Sequence, residues 1–307
     1  MFFVSSFFVT VNYIKFLLFS LLVFSGCEDE SENFVVSKVP DTFTKKVLIE
    51  EFTGAWCGYC PDGADRVKRL INDNDGRVVG VSIHAGNPTG DAMVIAHANY
   101  LETTYQSTSF PSAMVDRVSI NGNSCLNRGY WASVTNNQLL ETTVCGLAII
   151  SEINGQNATV EVHAGFSSNL PLLGMDGLVD DYRLTVYLIE DGVTEEGYGY
   201  DQRNYDNTIE ESPFYNLGDP IIGYEHNQTL RAVLSDSLGD VIVGGDDSYI
   251  EMKKGEEYIK TYTVDISSYN KKNLSIVAFI THIGSIITEH EVMNVQQSDI
   301  DGFQDWD

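Results

Sequence analysis

The feature that most constrains this chain is a pair of cysteines placed where an apolar strand should turn into a helix. We predict a strand from Val47 to Phe52 and a helix from Pro61 to Ile71, with Cys57 and Cys60 between them. The first thiol then lies at a helix N-terminus, where free N–H groups and the helix dipole favour a thiolate. A thiolate beside a second cysteine can attack a disulfide and then be released by its neighbour. The sequence therefore predicts a thiol–disulfide site.

Two other interpretations of the cysteine pair have less support. A structural zinc site needs four ligands, usually a second Cys-x-x-Cys or a close pair of histidines. The other cysteines, Cys27, Cys125 and Cys145, are isolated, and the six histidines are scattered. A purely structural disulfide stays open, although closing a two-residue loop stabilises little. We expect no metal and no cofactor.

The strand, the run Trp56 to Cys60 and the helix together resemble the thioredoxin superfamily. The resemblance implies that Cys57 is the attacking thiol, partly exposed, and that Cys60 is the resolving thiol. Glu51 stands six residues before Cys57, where thioredoxins carry a buried acid that handles the proton of the second cysteine. The alternative is a surface carboxylate, because neighbouring residues of a strand point to opposite faces and only one of Glu50 and Glu51 should face inward.

A second match to the thioredoxin superfamily lies at Phe110 and Pro111, directly before an apolar strand. The resemblance implies a cis-proline that faces the disulfide, and an ordinary trans-proline is the alternative. Trp56, Tyr59 and Phe110 would line the groove for an extended peptide substrate. Tyr59 replaces the proline of reducing thioredoxins, so we expect an oxidase-like or isomerase-like poise. The predicted catalytic set is therefore Cys57, Cys60, Glu51 and Pro111.

The N-terminus predicts export and anchoring. Phe16 to Phe24 is an apolar core preceded by Lys15, and small residues stand directly before Cys27. Residues 1–26 therefore indicate a secretory signal peptide. The arrangement resembles a bacterial lipoprotein signal, which implies that Cys27 is lipidated; an ordinary signal peptide with a free cysteine is the alternative. Residues 27–44 read as an acidic tether, either simply solvated or similar to a surface-export signal.

The charge of the chain excludes whole classes of partner. The formal net charge is −26, and removal of residues 1–26 takes away one lysine and no acid. Such a chain repels nucleic acid, whose binding depends on Lys and Arg neutralising phosphates. It should also avoid anionic membrane surfaces except through a lipid on Cys27.

The pattern of apolar runs predicts two domains of different class. Strands alternate with helices over residues 45–143, which indicates a layered α/β unit. Residues 144–295 carry about seven strands without convincing helices, which indicates an antiparallel sandwich, and residues 296–307 form an acidic tail. The predicted fold class is an α/β thioredoxin-like domain followed by an all-β antiparallel sandwich domain. The stretch from Asp191 to Tyr224 is long for a plain loop, and such loops tend to be functional or disordered.

Cys125 and Cys145 could form a second, structural disulfide, which the cell envelope would permit. A straight helix between them would span about 22 Å, whereas a disulfide needs Cα atoms within about 7 Å. The few remaining residues could barely return that distance. Bridged and unbridged forms both stay open.

The whole layout resembles the outer-membrane-protein-twenty-eight-related family of bacterial lipoproteins. The matching stretches are residues 47–61, 110–117 and, more weakly, 226–233. The resemblance implies an outer-membrane lipoprotein, periplasmic or surface-exposed, that includes a thioredoxin-like fold.

Two hypotheses for function follow. In the first, the protein exchanges disulfides in extracytoplasmic proteins, or with a membrane redox partner. In the alternative, it is a cell-surface binding protein or adhesin in which the thioredoxin fold is a scaffold and the loops of the β-domain bind partners. The fold alone does not choose between them.

Overall fold

The chain forms three α-helices and fifteen strands within residues 34–87, 89–171, 181–242 and 251–307, which a computed structural model describes. The helices are α1 (Cys60–Asn72), α2 (Ala96–Thr104) and α3 (Trp131–Gln138). The strands are β1 (Val47–Thr53), β2 (Val78–His84), β3 (Ser112–Val115), β4 (Leu126–Asn127), β5 (Cys145–Asn154), β6 (Asn157–Phe166), β7 (Leu170–Pro171), β8 (Asp181–Glu190), β9 (Thr229–Val233), β10 (Asp240–Val241), β11 (Glu251–Met252), β12 (Glu257–Asp265), β13 (Leu274–Ile283), β14 (His290–Asp299) and β15 (Phe303–Gln304). Short 3₁₀ helices lie at Tyr205–Thr208, Lys271–Asn273 and Ile287–Glu289.

The central element is a nine-stranded mixed sheet to which both halves of the chain contribute. Its order is β14-β13-β8-β9-β2-β1-β3-β4, and β10 pairs with β8 beside this path. β1 and β2 run parallel, and β9 runs parallel to β2 through the pair Ser82 and Thr229. The pairs β8–β9, β8–β13 and β13–β14 are antiparallel. The sheet therefore continues without a break from the first half of the chain into the second.

The predicted fold class is wrong for this reason. An α/β thioredoxin-like domain followed by a separate sandwich would leave the free edge of β2 to solvent. Instead β9 pairs with that edge, and β8, β13 and β14 extend the same sheet. All seven residues of β2 are buried, and buried backbone N–H and C=O groups need partners. The sequence pattern identifies the strands, but it does not say which strand satisfies the edge of β2.

A second sheet packs on the half of the large sheet that comes from the later strands. It is antiparallel, in the order β12-β6-β5-β15. Leu147 and Val162 of this sheet share a buried apolar cluster with Leu184 and Ile276 of the large one. Two packed sheets are thus present, but the larger one also belongs to the first half of the chain.

The three helices cover the other half of the large sheet on both faces. Val67 of α1 and Trp131 of α3 belong to one buried cluster. Leu101 of α2 belongs to another, which also contains Tyr187 and Phe279 of the later strands. β1 is consequently buried along its whole length, and residues of both halves pack against one another.

Residues 34–46 are tied to the carboxyl-terminal end of the chain. The backbone N–H of Thr44 donates to the carbonyl of Asp307 at 2.9 Å, and the indole N–H of Trp306 donates to the carbonyl of Ser37 at 2.8 Å. Residues Phe34–Asp307 form one compact unit. In the part of the chain that is described, no helix is long and apolar enough to cross a membrane. The predicted signal peptide and Cys27 lie outside the described residues.

Candidate functional site

The two cysteines of the predicted site form a disulfide at the junction of β1 and α1. Cys57 and Cys60 are joined by an S–S bond, and their Cα atoms lie 5.4 Å apart. α1 begins at Cys60, and Pro61 stands in its first turn, where a proline costs no hydrogen bond. The site differs from expectation in exposure: Cys57 is 5% exposed and Cys60 is 1% exposed. Both cysteines are therefore buried.

Asp91 fixes the loop that leads into the disulfide. Its Oδ2 accepts the N–H of Ala55 at 2.8 Å and lies 2.7 Å from Nδ1 of His84, at the end of β2. Burial by itself would raise the pKa of Asp91, but its hydrogen bonds, led by that with His84, leave it below the ordinary value. The carboxylate is therefore charged at neutral pH and acts as a fixed acceptor for the loop.

Glu51 lies in β1, and neither of its carboxylate oxygens has a hydrogen-bond partner among the described residues. Its side chain is fully buried and lies against Gly63 of α1, so that a methyl group at position 63 would overlap with Oε1 and crowd Pro111. Burial, and secondarily the charge of Asp62, raise the pKa of Glu51 well above its usual value. The carboxyl group is thus held in an environment that favours its neutral, protonated form.

Glu50 is also buried, on the opposite face of β1, where Arg117 neutralises it. The guanidinium donates to both carboxylate oxygens, at 2.7 and 2.8 Å. It also donates to the hydroxyl of Tyr105 at 2.7 Å, and the hydroxyl of Tyr187 donates to Glu50 at 3.1 Å. The expectation that only one of the two glutamates faces inward is therefore not met, because the sheet is covered on both faces.

Phe110 and Pro111 lie beside the loop of residues 54–60, which joins β1 to α1 and carries the disulfide. We call this loop the disulfide corner. The peptide bond between them is cis. The ring of Phe110 packs at 5.0 Å from the ring of Trp56, whose indole N–H donates to the carbonyl of Ala85 at 3.0 Å. Together with Glu51 and the cysteines, these residues gather at one end of the sheet. Tyr59, the third residue of the predicted groove, instead contacts Tyr205 and Arg128.

The segment that covers this corner is the connection between β8 and β9, residues 191–228, which we call the strap. The N–H of Arg203 donates to the carbonyl of Ala55 at 2.8 Å, and the N–H of Tyr205 donates to the carbonyl of Gly58 at 2.8 Å. The side-chain amide of Gln202 donates to the carbonyls of residues 54, 55 and 57 at 3.2, 3.3 and 2.8 Å. The strap is therefore bonded to the loop that carries Cys57.

A row of stacked side chains adds to this attachment. The rings of Tyr59 and Tyr205 meet edge to face at 5.2 Å. The guanidinium of Arg128 lies 5.3 Å from the ring of Tyr59, and that of Arg203 lies 5.6 Å from the ring of Tyr205. The ring of Tyr205 also rests so close to Gly58 that any Cβ there would overlap with it. A side chain at position 58 and the observed strap exclude each other.

A cleft of about 660 Å³ lies between α1 and the strap. Cys60, His84, Tyr224 and His226 are among the residues that line it, and Lys68 of α1 lies at its side. Burial, and then the neighbouring His84, lower the pKa of His226 to about 4. His226 is therefore neutral, and its Nε2 bonds the carbonyl of Tyr200 at 2.8 Å. The cleft therefore reaches Cys60 of the disulfide.

The family described as outer membrane protein Omp28 matches residues 98–303, about two thirds of the chain. The chain belongs to the Omp28 family. The predicted family and an outer-membrane or surface location are therefore confirmed. The matched region contains the strap, the second sheet and most of the large sheet, but it does not contain Cys57 and Cys60.

Solved structures with the same fold include HBP35 of Porphyromonas gingivalis. The similarity covers 85% of this chain and 76% of that one, with a TM-score of 0.62 and 21% sequence identity. A second similar structure is the protein AGR_C_4864 from Agrobacterium tumefaciens, with a TM-score of 0.49, 12% identity and coverage of 84% and 96%. No curated protein matches the chain. At 21% identity the similarity to HBP35 concerns the fold alone.

Cys125 and Cys145 do not form a disulfide, because the two residues belong to different apolar clusters. The thiol of Cys125 bonds the carbonyl of Tyr105, and that of Cys145 faces Thr143. Burial raises the pKa of Cys125 to about 12 and that of Cys145 to about 11. Both are inert buried thiols.

Sequence reasoning missed the residues that close the site of this Omp28-family protein. Asp91 orders the loop, and Gln202, Arg203 and Tyr205 cover the disulfide. The available signal is the length of the stretch from Asp191 to Tyr224, which indicates a functional or disordered loop without indicating where it lies.

Proposed function

We propose that this outer-membrane protein binds a partner at the cell surface through the outward face of the strap. In this proposal the disulfide corner is the support on which the strap is built. The observation that carries this proposal is that the strap is bonded to the protein on one side and exposed on the other. Its inner face is bonded to residues 54–58, while its outer face leaves large apolar side chains in solvent.

Five such side chains are exposed, besides Tyr205, whose ring packs on Gly58. They are Tyr198, Ile209, Tyr215, Leu217 and Ile222, of which Tyr198 is 84% exposed. Large contiguous apolar patches mark interaction sites on protein surfaces, and tyrosine is enriched at protein interfaces. The strap also lies within residues 98–303, the part of the chain that belongs to the Omp28 family. The closed disulfide agrees with a supporting role for the corner.

Site-specific photo-crosslinking in cells tests this proposal. A benzophenone amino acid replaces Tyr198 or Tyr215 on the strap, and Ile259 of β12, which like Tyr215 is about half exposed, serves as the matched control. We expect discrete crosslinked adducts from the two strap positions and none from position 259. Adducts of equal intensity at all three positions, or none at the strap, would overturn the proposal.

Thiol–disulfide exchange is the second candidate, and the burial of Glu51 favours it. A carboxyl group kept neutral by its surroundings can give a proton to Cys60 when the disulfide is reduced and take it back afterwards. The disulfide at the start of α1 offers the matching electrophile. In this candidate the strap must move before a protein substrate can reach Cys57, because that residue is closed off in the structure.

The redox equilibrium of Cys57 and Cys60 separates the two candidates. It is measured on residues 34–307 in defined glutathione buffers by thiol trapping and mass spectrometry, with Cys57→Ser as the control. A potential between roughly −120 and −230 mV, the range of working oxidoreductases, supports exchange. A pair that stays oxidised below about −300 mV is a structural bridge, and partner binding then remains the function.

A further inference from the structure

We propose that His84 and His226 form a binding site for a divalent metal ion of the class that imidazole binds, such as Zn²⁺ or Cu²⁺. The site lies in the cleft between α1 and the strap. His84 ends β2 and His226 belongs to the strap, so a bound ion joins the strap to the sheet. This goes beyond the proposed function, and it stands whether the strap binds a partner or the cysteines exchange electrons. It also departs from the expectation, based on the sequence, that the chain holds no metal.

Each of the two imidazole rings is oriented by a hydrogen bond through one of its nitrogens. Nδ1 of His84 lies 2.7 Å from Oδ2 of Asp91, and Nε2 of His226 lies 2.8 Å from the carbonyl oxygen of Tyr200. A carboxylate and a carbonyl only accept hydrogen bonds, so in the neutral rings these two nitrogens carry the hydrogen and the other two carry a lone pair. Histidines that bind metals are almost always held in this way, by a carboxylate or a backbone carbonyl.

The second nitrogen of each ring is available to a ligand in the cleft. Within the described chain, the hydrogen bonds of the two rings are those to Asp91 and to Tyr200. His84 and His226 are only 2% and 5% exposed, yet both line the cleft. Two buried imidazoles, each fixed by one nitrogen and free at the other, therefore meet in the same space.

The spacing of the two rings suits a single ion. Their centroids lie 5.1 Å apart, and their planes are inclined at 73°. A bond of about 2.0–2.1 Å between zinc and nitrogen places the ring centroid about 3.2 Å from the ion. Two rings bound at a tetrahedral angle then have centroids about 5.2 Å apart. The observed separation matches this value, so His84 and His226 are spaced as two ligands of one ion.

The protein supplies two ligands and leaves the other positions of the ion open. Among the described residues, no group of three His, Cys, Asp or Glu side chains is placed to hold a metal. Cys60 also lines the cleft, but its sulfur is bonded to Cys57. Water, or a small ligand that enters the cleft, therefore completes the coordination. Imidazole favours Zn²⁺ and Cu²⁺, whereas Mg²⁺ and Ca²⁺ favour oxygen ligands.

Calorimetric titration with Zn²⁺ tests the site on the oxidised residues 34–307 without an affinity tag. An excess of Mg²⁺ occupies the carboxylates of this acidic chain. We expect one equivalent of Zn²⁺ to bind to the wild type, and at least about tenfold weaker binding to His84→Gln and to His226→Gln, because each variant lacks one ligand.

His163→Gln is the matched control. His163 is also buried, but both of its nitrogens have partners, Glu257 at 2.8 Å and Glu161 at 3.0 Å. This variant should bind Zn²⁺ as the wild type does. Absence of Zn²⁺ binding in excess Mg²⁺, equal binding to the wild type and to both cleft variants, or loss of binding in His163→Gln would overturn the proposal.

Electron paramagnetic resonance of the wild-type chain with one equivalent of Cu²⁺ decides the matter if the cleft variants do not fold. We expect couplings from two imidazole nitrogens to the copper. A spectrum with a single coupled nitrogen, or with oxygen ligands alone, means that the two rings do not share an ion and refutes the site.

Discussion

Replacement of Glu51 by methionine should stabilise the protein at neutral pH. The glutamate is fully buried, and within the described chain neither carboxylate oxygen has a hydrogen-bond partner. An unsatisfied buried polar group costs about 1–3 kcal/mol, and more if it is charged. Methionine has a similar length and no polar atom, and it adapts to irregular space. We expect Glu51→Met to raise the free energy of unfolding by about 1–3 kcal/mol near pH 4, where both states hold the proton, and by more at pH 7.

The gain in stability from Glu51→Met should also depend on pH. The pKa of Glu51 is raised in the folded state, so over a range of pH the folded chain holds a proton that the unfolded chain has released. Stability then falls as pH rises from the unfolded pKa, about 4.3 for Glu, towards the folded pKa, by up to about 1.4 kcal/mol per pH unit. Below the unfolded pKa both states hold the proton, and this loss of stability vanishes. The gain from Glu51→Met should therefore be smallest near pH 4 and larger at pH 7.

Urea unfolding of the oxidised residues 34–307 between pH 4 and 8 measures both effects. Glu152→Met, at an exposed position of β5, is the matched control and should change stability by no more than about 0.5 kcal/mol. If Glu51→Met is less stable than the wild type at pH 7, or if its advantage does not grow with pH, then Glu51 is satisfied in solution and the reasoning fails.

Three further predictions concern the same strand and its neighbours. Arg117→Met should lower the free energy of unfolding by about 3–5 kcal/mol, because it leaves the buried carboxylate of Glu50 without its counter-ion; a loss below about 1 kcal/mol in urea unfolding would contradict this. Gly63→Ala should destabilise the chain through overlap with Glu51 and should cost less when Glu51 is alanine, with a coupling of about 0.5–3 kcal/mol in a double-mutant cycle; additive effects would contradict the overlap. Residues 34–143 expressed alone should lack a cooperative unfolding transition in circular dichroism, because the edge of β2 and the cluster around Leu101 are completed by later strands; a cooperative transition would show that the first half folds by itself.

The disulfide corner could be predicted because its geometry is local. A strand, a short loop with two cysteines and a helix that starts at the second cysteine are all specified within residues 47–72. The strand and the helix have distinct apolar patterns, and the proline marks the helix start. The order of the sheet is not local. Ser82 and Thr229 pair across nearly half the length of the chain, and the periodicity of neither strand identifies its partner.

The two adjacent glutamates show where the alternation argument fails. Alternation predicts that one side chain of each neighbouring pair reaches solvent, provided that only one face of the sheet is covered. In this protein helices and later strands cover both faces of β1, so Glu50 and Glu51 are both buried. A strand covered on both faces must neutralise or protonate each of its acids. Glu50 has Arg117, whereas Glu51 has a raised pKa.

The position of the strap follows from the same pairing that the sequence did not reveal. β9 runs parallel to β2, and its first residue, Thr229, lies opposite Ser82, near the carboxyl end of β2. β8 is antiparallel to β9, and its last residue, Glu190, pairs with Thr229. The connection from residue 191 to residue 228 must therefore begin and end at the carboxyl ends of β1 and β2, where the disulfide follows. One topological fact thus joins the two halves of the sheet and brings the strap over Cys57, so any function of the cysteine pair depends on how firmly that connection is held.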